Sequence, residues 1–392
     1  MDKIEQLLTR GVEKIYPSKA ELKKVLLSGG KMRIYNGIDP TGKLHLGHTV
    51  VLKKLRQFQD LGHEIIVLIG DFTARIGDPT DKLATRKKLA REEIKRNEAD
   101  YKTHIAKILD LNKANVRFLH NEEWTNKLKP EDMLELASCF TVSQLLERDM
   151  FQERLKSGKQ IYVHEFIYPI FQAYDSVAMG VDMEIGGNDQ TFNMLAGRDL
   201  VKKLLNKEKF VLTTKLLTDP TKKKMGKTEG NTINLDDNPE DMFGKIMSWP
   251  DTMIISGFEL CTDVPMDVLR QKEKDMKFEK LNPRDAKTKL AYEIVKIYHG
   301  EEEAGRAQEN FMKIFQKKEI PDKIEEIKVK TGDKLADILV QKNIIPSKSE
   351  FRRLVKNKAI DVDGRAIEDI DYVIKKVTVV KIGKKKFIRI AV

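Results

Sequence analysis

Hydrophobic and polar positions follow two rhythms along the first 230 residues. Short continuous apolar stretches rich in β-branched residues predict buried strands over 33–37, 64–71, 116–119, 183–185 and 210–214. Between them, apolar residues recur at helical spacing in 49–61, in the long charged run 81–112, through most of 130–180, and in 190–205. Strands alternating with helices predict an α/β fold with a doubly wound, parallel sheet. After about residue 232 the strand signal stops. Residues 239–315 then read as helices, interrupted near Pro250 and at Asn282-Pro283. From 333 the rhythm changes again, to helices at 334–342 and 348–357 and strands at 359–363, 372–380 and 386–391. The expected domains are therefore 1–232, α/β with a helical insertion at about 120–165; 233–320, helical; a polar linker at 321–332; and 333–392, a small α+β unit.

Charge sharpens this division. The formal net charge of the 392 residues is +11. Residues 332–392 hold 15 Lys and Arg against 8 Asp and Glu, so +7 of that excess lies in the last unit. A basic module on a nearly balanced body suggests a polyanionic partner, although a lysine-rich solvated surface would read the same way. Only two cysteines occur, Cys139 and Cys261, and neither has metal-ligand spacing around it. That fits buried thiols in a reducing compartment, with no structural metal. No apolar run approaches the roughly 20 residues of a membrane span. The start, Met1-Asp2-Lys3-Ile4-Glu5, has no signal-peptide core, so a cytoplasmic location without membrane attachment is expected.

The candidate chemistry begins where the first of these strands ends. Gly37-Ile38-Asp39-Pro40-Thr41-Gly42-Lys43-Leu44-His45-Leu46-Gly47-His48 forms a strand–turn–helix junction, the place where α/β folds bind phosphate. His45 and His48 rise from one side of the first helical turn, and Gly47 leaves room for a flat base. Neutral imidazoles there can donate to phosphate oxygens as charge develops. Alone, an H-x-x-H pair is often just two surface histidines at a helix cap. A second segment, Lys222-Lys223-Lys224-Met225-Gly226-Lys227-Thr228, is a basic loop following the last strand of the sheet. Such a loop can fold over a triphosphate. A third, Tyr168-Pro169-Ile170-Phe171-Gln172-Ala173-Tyr174-Asp175-Ser176, puts Tyr168, Gln172 and Asp175 on one helix face.

Taken together, the His45–His48 and Lys224–Thr228 segments resemble the two signature motifs of class I aminoacyl-tRNA synthetases, in matching order and separation. Gly226 and Thr228 stand where the commonest second motif has serines. Tyr35, the Tyr168–Asp175 face and Gly186-Gly187-Asn188-Asp189-Gln190 resemble the tyrosine-specific branch of that family, from about residue 30 to 235. The resemblance implies a Rossmann-like catalytic domain that joins tyrosine to tRNA(Tyr) through tyrosyl-adenylate. It implies ATP as substrate, accompanied by Mg²⁺, and a homodimer. By the same resemblance, Tyr35 and Asp175 recognise the substrate phenol. Asp78, Tyr168 and Gln172 hold its ammonium, with help from Thr73. Asp39 and Thr41 lie beside the reacting carboxylate and phosphates. Asp189 takes a ribose hydroxyl, Gln190 assists at the carboxylate, and Gly47 and Gly187 border the nucleotide. His45, His48, Lys224, Lys227 and Thr228 stabilise the triphosphate. Lys82 and Arg86 match basic family positions, facing either substrate or tRNA. The turn at 41–45 is one residue short for many tyrosine enzymes and resembles tryptophan enzymes, so a tryptophan–tRNA ligase stays open. So does a catalytically retired synthetase that only binds RNA; a small-molecule nucleotidyltransferase would share only the first motif. In the tail, Ser347–Asn357 and Ala359–Arg365 resemble an S4-like RNA-binding module, with Arg352, Arg353, Lys356 and Lys358 toward RNA phosphates.

Overall fold

The computed structural model describes residues 3–76, 91–219, 232–313, 325–383 and 386–392. Six strands build the larger sheet: β1 (Val12–Tyr16), β2 (Arg33–Ile38), β3 (Glu64–Ile69), β4 (Val116–His120), β5 (Met183–Gly187) and β6 (Phe210–Thr214). Their order is β1-β6-β5-β2-β3-β4. All neighbours from β6 to β4 are parallel, as the apolar strands predict. β1 departs from this by adding to β6 in the antiparallel sense. The chain runs outward from β2 to β3 and β4, then returns to place β5 on the other side of β2. The order therefore reverses between β2 and β5, and their carboxyl ends flank the crevice where such sheets bind ligands.

Helices cover the sheet where the periodicity places them, with two differences. The run expected to be helical over 81–112 is a helix only from Arg91 to Ile105 among its described residues, and 106–112 is turns and irregular chain. The sequence reading also gave no elements before residue 33, yet Lys19–Leu27 is a helix capped by the Ser18 side chain. After the sheet, helices Pro239–Met247, Ile254–Cys261, Met266–Lys277 and Pro283–His299 follow. Asn238 and Asn282 cap two of them, each just before a proline at the first turn. Met1–Ala304 forms one compact unit, with no break at residue 232. Arg10 shows why: its buried guanidinium donates to the carbonyls of Phe258, Glu259, Thr262 and Val264. Cys261 is buried as expected, whereas Cys139 is half-buried.

The second unit, Gly305–Val392, has its own core. Its sheet contains β7 (Glu325–Lys328), β8 (Ile360–Val362), β9 (Arg365–Ala366), β10 (Thr378–Ile382) and β11 (Lys386–Ala391), in the order β7-β11-β10-β8-β9. β7 falls inside the segment read as a linker. It pairs in parallel with β11 and buries Ile327, so this part of 321–332 belongs to the domain. The strand expected over 372–380 is shifted, starting at Thr378. Helices Leu335–Gln341 and Lys348–Lys356 close one core with this sheet through Leu339, Phe351 and Val355.

Candidate active site

The first histidine motif stands at the carboxyl end of β2, as its sequence context requires. His45 caps the Leu46–Asp60 helix: its Nδ1 accepts from the Gly47 N–H at 3.1 Å, and His48 Nδ1 accepts from the His45 N–H at 3.1 Å. An imidazole nitrogen that accepts carries no proton, so each neutral ring bears its hydrogen on Nε2. The two ring centroids are 4.0 Å apart. The pair thus presents two fixed N–H donors beside a helix N-terminus, an arrangement suited to phosphate.

The basic second motif lies outside the described residues, as do Asp78, Lys82 and Arg86; this covers Lys224, Lys227 and Thr228. The chain that follows it is well placed. Leu46 N–H donates to Ile233 O at 3.0 Å, and Leu235 N–H donates to Leu44 O at 2.9 Å. Residues 233–235 therefore pair with the first motif itself, and Lys43 joins Asp236 at 2.5 Å.

Beside the β2 terminus, three predicted residues converge. Asp39 Oδ1 accepts from Thr73 Oγ1 at 2.6 Å, and its Oδ2 accepts from Tyr168 Oη at 2.9 Å. Gly70 makes this possible, because a Cβ there would fall 2.1 Å from Asp39 Oδ1 and 2.5 Å from Thr73 Oγ1. Thr41 N–H donates to Asp39 O at 2.7 Å, holding that residue in the same turn. At the end of β5, a Cβ on Gly187 would meet Asp189 Oδ1 at 2.5 Å, so the glycine lets the Asp189 carboxylate sit close against the end of the strand. Gln190 Oε1 accepts from Asn193 Nδ2 at 2.9 Å.

Deeper in the same cleft lie Tyr35 and Asp175, 0% and 2% exposed. Asp175 accepts from Trp124 Nε1 at 2.7 Å and from Asn121 Nδ2 at 3.3 Å. Burial pushes its carboxyl well above the usual range, and these two donors pull it back toward the ionised form. The Tyr35 hydroxyl meets Ser176 Oγ at 2.9 Å. Burial, with Glu184 and Asp175 nearby, raises its pKa and keeps it protonated. Gln172 Nε2 donates to Glu184 Oε1 at 3.0 Å. The helix face read from Tyr168, Gln172 and Asp175 is thus polar because each of its members has a partner inside the cleft.

Comparison with known proteins shows the family. A family model described as tRNA synthetases class I (W and Y) matches residues 27–316, and one described as the tyrosine–tRNA ligase SYY-like C-terminal domain matches 316–390. The tyrosine–tRNA ligase of Thermotoga maritima is 45% identical over 378 residues, covering 95% of this chain and 94% of that protein. That of Carboxydothermus hydrogenoformans is 45% identical over 401 residues, covering 98% and 97%. The chain belongs to the tyrosine–tRNA ligase family. Two solved family members share its fold. A C-terminally truncated mitochondrial tyrosyl-tRNA synthetase from Aspergillus nidulans matches with TM-score 0.65 at 24% identity, over 80% of this chain and 94% of that one. The tyrosyl-tRNA synthetase of Archaeoglobus fulgidus, complexed with L-tyrosine, gives 0.61 at 24%, over 78% and 100%.

Several residues that contact the predicted ones escaped the sequence reading: Asn121, Trp124, Ser176, Glu184, Lys209 and Gly70. One signal was available. Glu184 is a lone charge in an apolar parallel strand, and such a charge requires a buried partner. In the basic tail, Arg353 is forked on Glu350, and Lys358 lies 3.2 Å from Glu368. Arg352 and Lys356 share the Lys348–Lys356 helix with Arg353.

Proposed function

We infer that this chain is a tyrosine–tRNA ligase. It activates L-tyrosine with ATP and transfers the tyrosyl group to the 3′ end of tRNA(Tyr). The observation that supports this most is the placement after β2 of the paired histidines and of Asp39, which Thr73 and Asn121 link by hydrogen bonds to the buried Asp175. A tyrosine carboxylate oxygen attacks the ATP α-phosphorus. The bond to the β-phosphate oxygen breaks, and pyrophosphate leaves. A terminal ribose hydroxyl of tRNA then attacks the acyl carbon and expels AMP. No protein nucleophile is needed, because positioning and charge stabilisation carry both steps.

In this reading, the Nε2–H groups of His45 and His48 donate to phosphate oxygens as they gain charge, together with Lys224, Lys227 and Thr228. Asp39, Thr41, Thr73, Asp78, Tyr168, Gln172 and Gln190 orient the amino acid around its ammonium and carboxylate. Gly47, Gly187 and Asp189 receive the nucleoside. Mg²⁺ enters with ATP as part of the substrate complex. One substrate O–H donates to Asp175 and accepts from Tyr35. A substrate without that hydroxyl leaves each of these buried groups one hydrogen bond short, and an indole does not reproduce the exchange. This disfavours tryptophan. The family match across both units disfavours a retired scaffold. The second unit contributes an S4-like RNA surface through Arg352, Arg353, Lys356 and Lys358. A homodimer agrees with the apolar side chains exposed in the helical insertion, where Leu134 is 73% and Val142 68% exposed. Among the described residues, no helix is long and apolar enough to cross a membrane.

The test is charging of a tRNA(Tyr) transcript with labelled tyrosine, ATP and Mg²⁺. Tyrosyl-tRNA should accumulate, and a tRNA that stays uncharged would refute the reading.

A further inference from the structure

Beneath the tyrosine pocket lies an ion pair that the reaction above does not use. Lys209, immediately before β6, is fully buried, and Glu184 on β5 is 2% exposed. Their charged groups are in contact. Lys209 Nζ also donates to Ser176 Oγ at 2.7 Å. Ser176 Oγ in turn meets the Tyr35 hydroxyl, while Glu184 Oε1 accepts from Gln172 Nε2. Gly197 leaves the space for this cluster, since a Cβ there would fall 2.7 Å from Lys209 Nζ and 2.9 Å from Ser176 Oγ.

A buried ion pair generally stabilises a fold no better than a well-packed apolar pair would. What it does supply is direction. An ammonium has only hydrogens to give, so Ser176 must accept from Lys209. The single Ser176 hydrogen goes to Tyr35 Oη, because the Tyr35 hydrogen has Glu184 as its acceptor. Tyr35 keeps its own hydrogen, for which Glu184 is the acceptor inside the protein and a bound phenol oxygen the acceptor in the pocket. A phenol in the pocket gives its hydrogen to Asp175, and its oxygen accepts from Tyr35. At the other end, Glu184 can only accept when ionised, so it fixes the Gln172 amide with Nε2 toward itself. The Gln172 carbonyl oxygen is thereby turned away from Glu184 and kept as an acceptor for the substrate ammonium.

We propose that Glu184, Lys209 and Ser176 are positioning residues that orient Tyr35 for the phenol of tyrosine. This rests on the tyrosine pocket inferred above. The test measures ATP–pyrophosphate exchange with tyrosine and with phenylalanine for three full-length proteins: the wild type, Ser176→Ala, and Glu184→Gln combined with Lys209→Met. Ser176→Ala removes one oxygen and leaves the ion pair intact. The double variant removes both charges and leaves Gln172 an amide oxygen to bond. Each should raise KM for tyrosine and lower its kcat/KM about tenfold, the worth of one hydrogen bond. Phenylalanine, which has no phenol to receive the Tyr35 hydrogen, should stay within about twofold. A cluster that only holds the fold together would weaken both substrates alike and leave their ratio unchanged. An unchanged ratio in both variants, with the wild type active on tyrosine, overturns this inference alone. A wild type inactive on tyrosine overturns the pocket reading and this inference with it.

Discussion

Trp124 offers the most exacting perturbation of the recognition end. Its Nε1 donates to Asp175 Oδ1 at 2.7 Å, and the weaker Asn121 contact, at 3.3 Å, is the other bond to that carboxylate. In the pocket proposed above, Asp175 must be ionised to accept the substrate hydrogen, while burial drives it toward the protonated form. The indole N–H is thus one of two groups holding the site in its working state. Trp124→Phe keeps most of the ring and removes that donor. A hydrogen bond to a charged group contributes about 1.5–3 kcal/mol, a factor of about 10 to 150 in the protonation equilibrium. The sign follows directly: losing a donor favours the protonated acid, so the acid limb of kcat/KM for tyrosine moves to higher pH. Exchange assays from pH 5.5 to 9.5 should show that limb displaced by a ten- to hundredfold lower proton concentration. Activity should recover toward the wild-type level at the alkaline end. A loss equal at every pH would show that Trp124 only fills space, and the role given to its N–H would be wrong.

Gly70→Ala would drive a methyl group into Asp39 Oδ1 and Thr73 Oγ1. Displacing Asp39 puts two charge-assisted bonds at risk, so kcat/KM for tyrosine should fall about 100-fold in exchange assays; a fall of less than threefold would mean that the Asp39 cluster is dispensable. Arg352→Glu with Lys356→Glu should leave exchange unchanged, raise KM for tRNA at least about tenfold, and flatten the salt dependence of charging. Unaltered charging would remove that helix from the RNA surface. His120 bonds Asp71, which raises its pKa above 6.5, with Glu98 adding to the rise against partial burial. Its stabilisation is complete below pH 6.5 and is lost as the pH rises through the folded-state value. The gap in urea midpoint between wild type and His120→Asn should therefore be wider at pH 6 than at pH 9, and a constant gap would contradict this.

The parts of the fold that follow local rules are legible in the sequence. The β2 turn, the glycines that end β5 and the parallel core strands each carry their signal within about ten residues. β1 does not. Its sequence Val12-Glu13-Lys14-Ile15-Tyr16 mixes exposed and half-buried positions, and it exists because β6, almost 200 residues later, offers an edge. β7 fails in the same way: a polar stretch with one buried residue, Ile327, becomes a strand because β11 is beside it. At the site, Tyr168, Gln172 and Asp175 show because a polar helix face needs a reason. Lys209 looks like any surface lysine until the sheet sets Glu184 against it. Gly70 is likewise silent, since the atoms that exclude a side chain there come from Thr73 in the next turn and from Asp39 just after β2.

The central claim is tyrosine activation. The most direct measurement is ATP–pyrophosphate exchange by the full-length chain with each of the twenty amino acids in turn. The account predicts exchange with tyrosine far above all others, tryptophan and phenylalanine included. No exchange with tyrosine, or faster exchange with tryptophan, would contradict it.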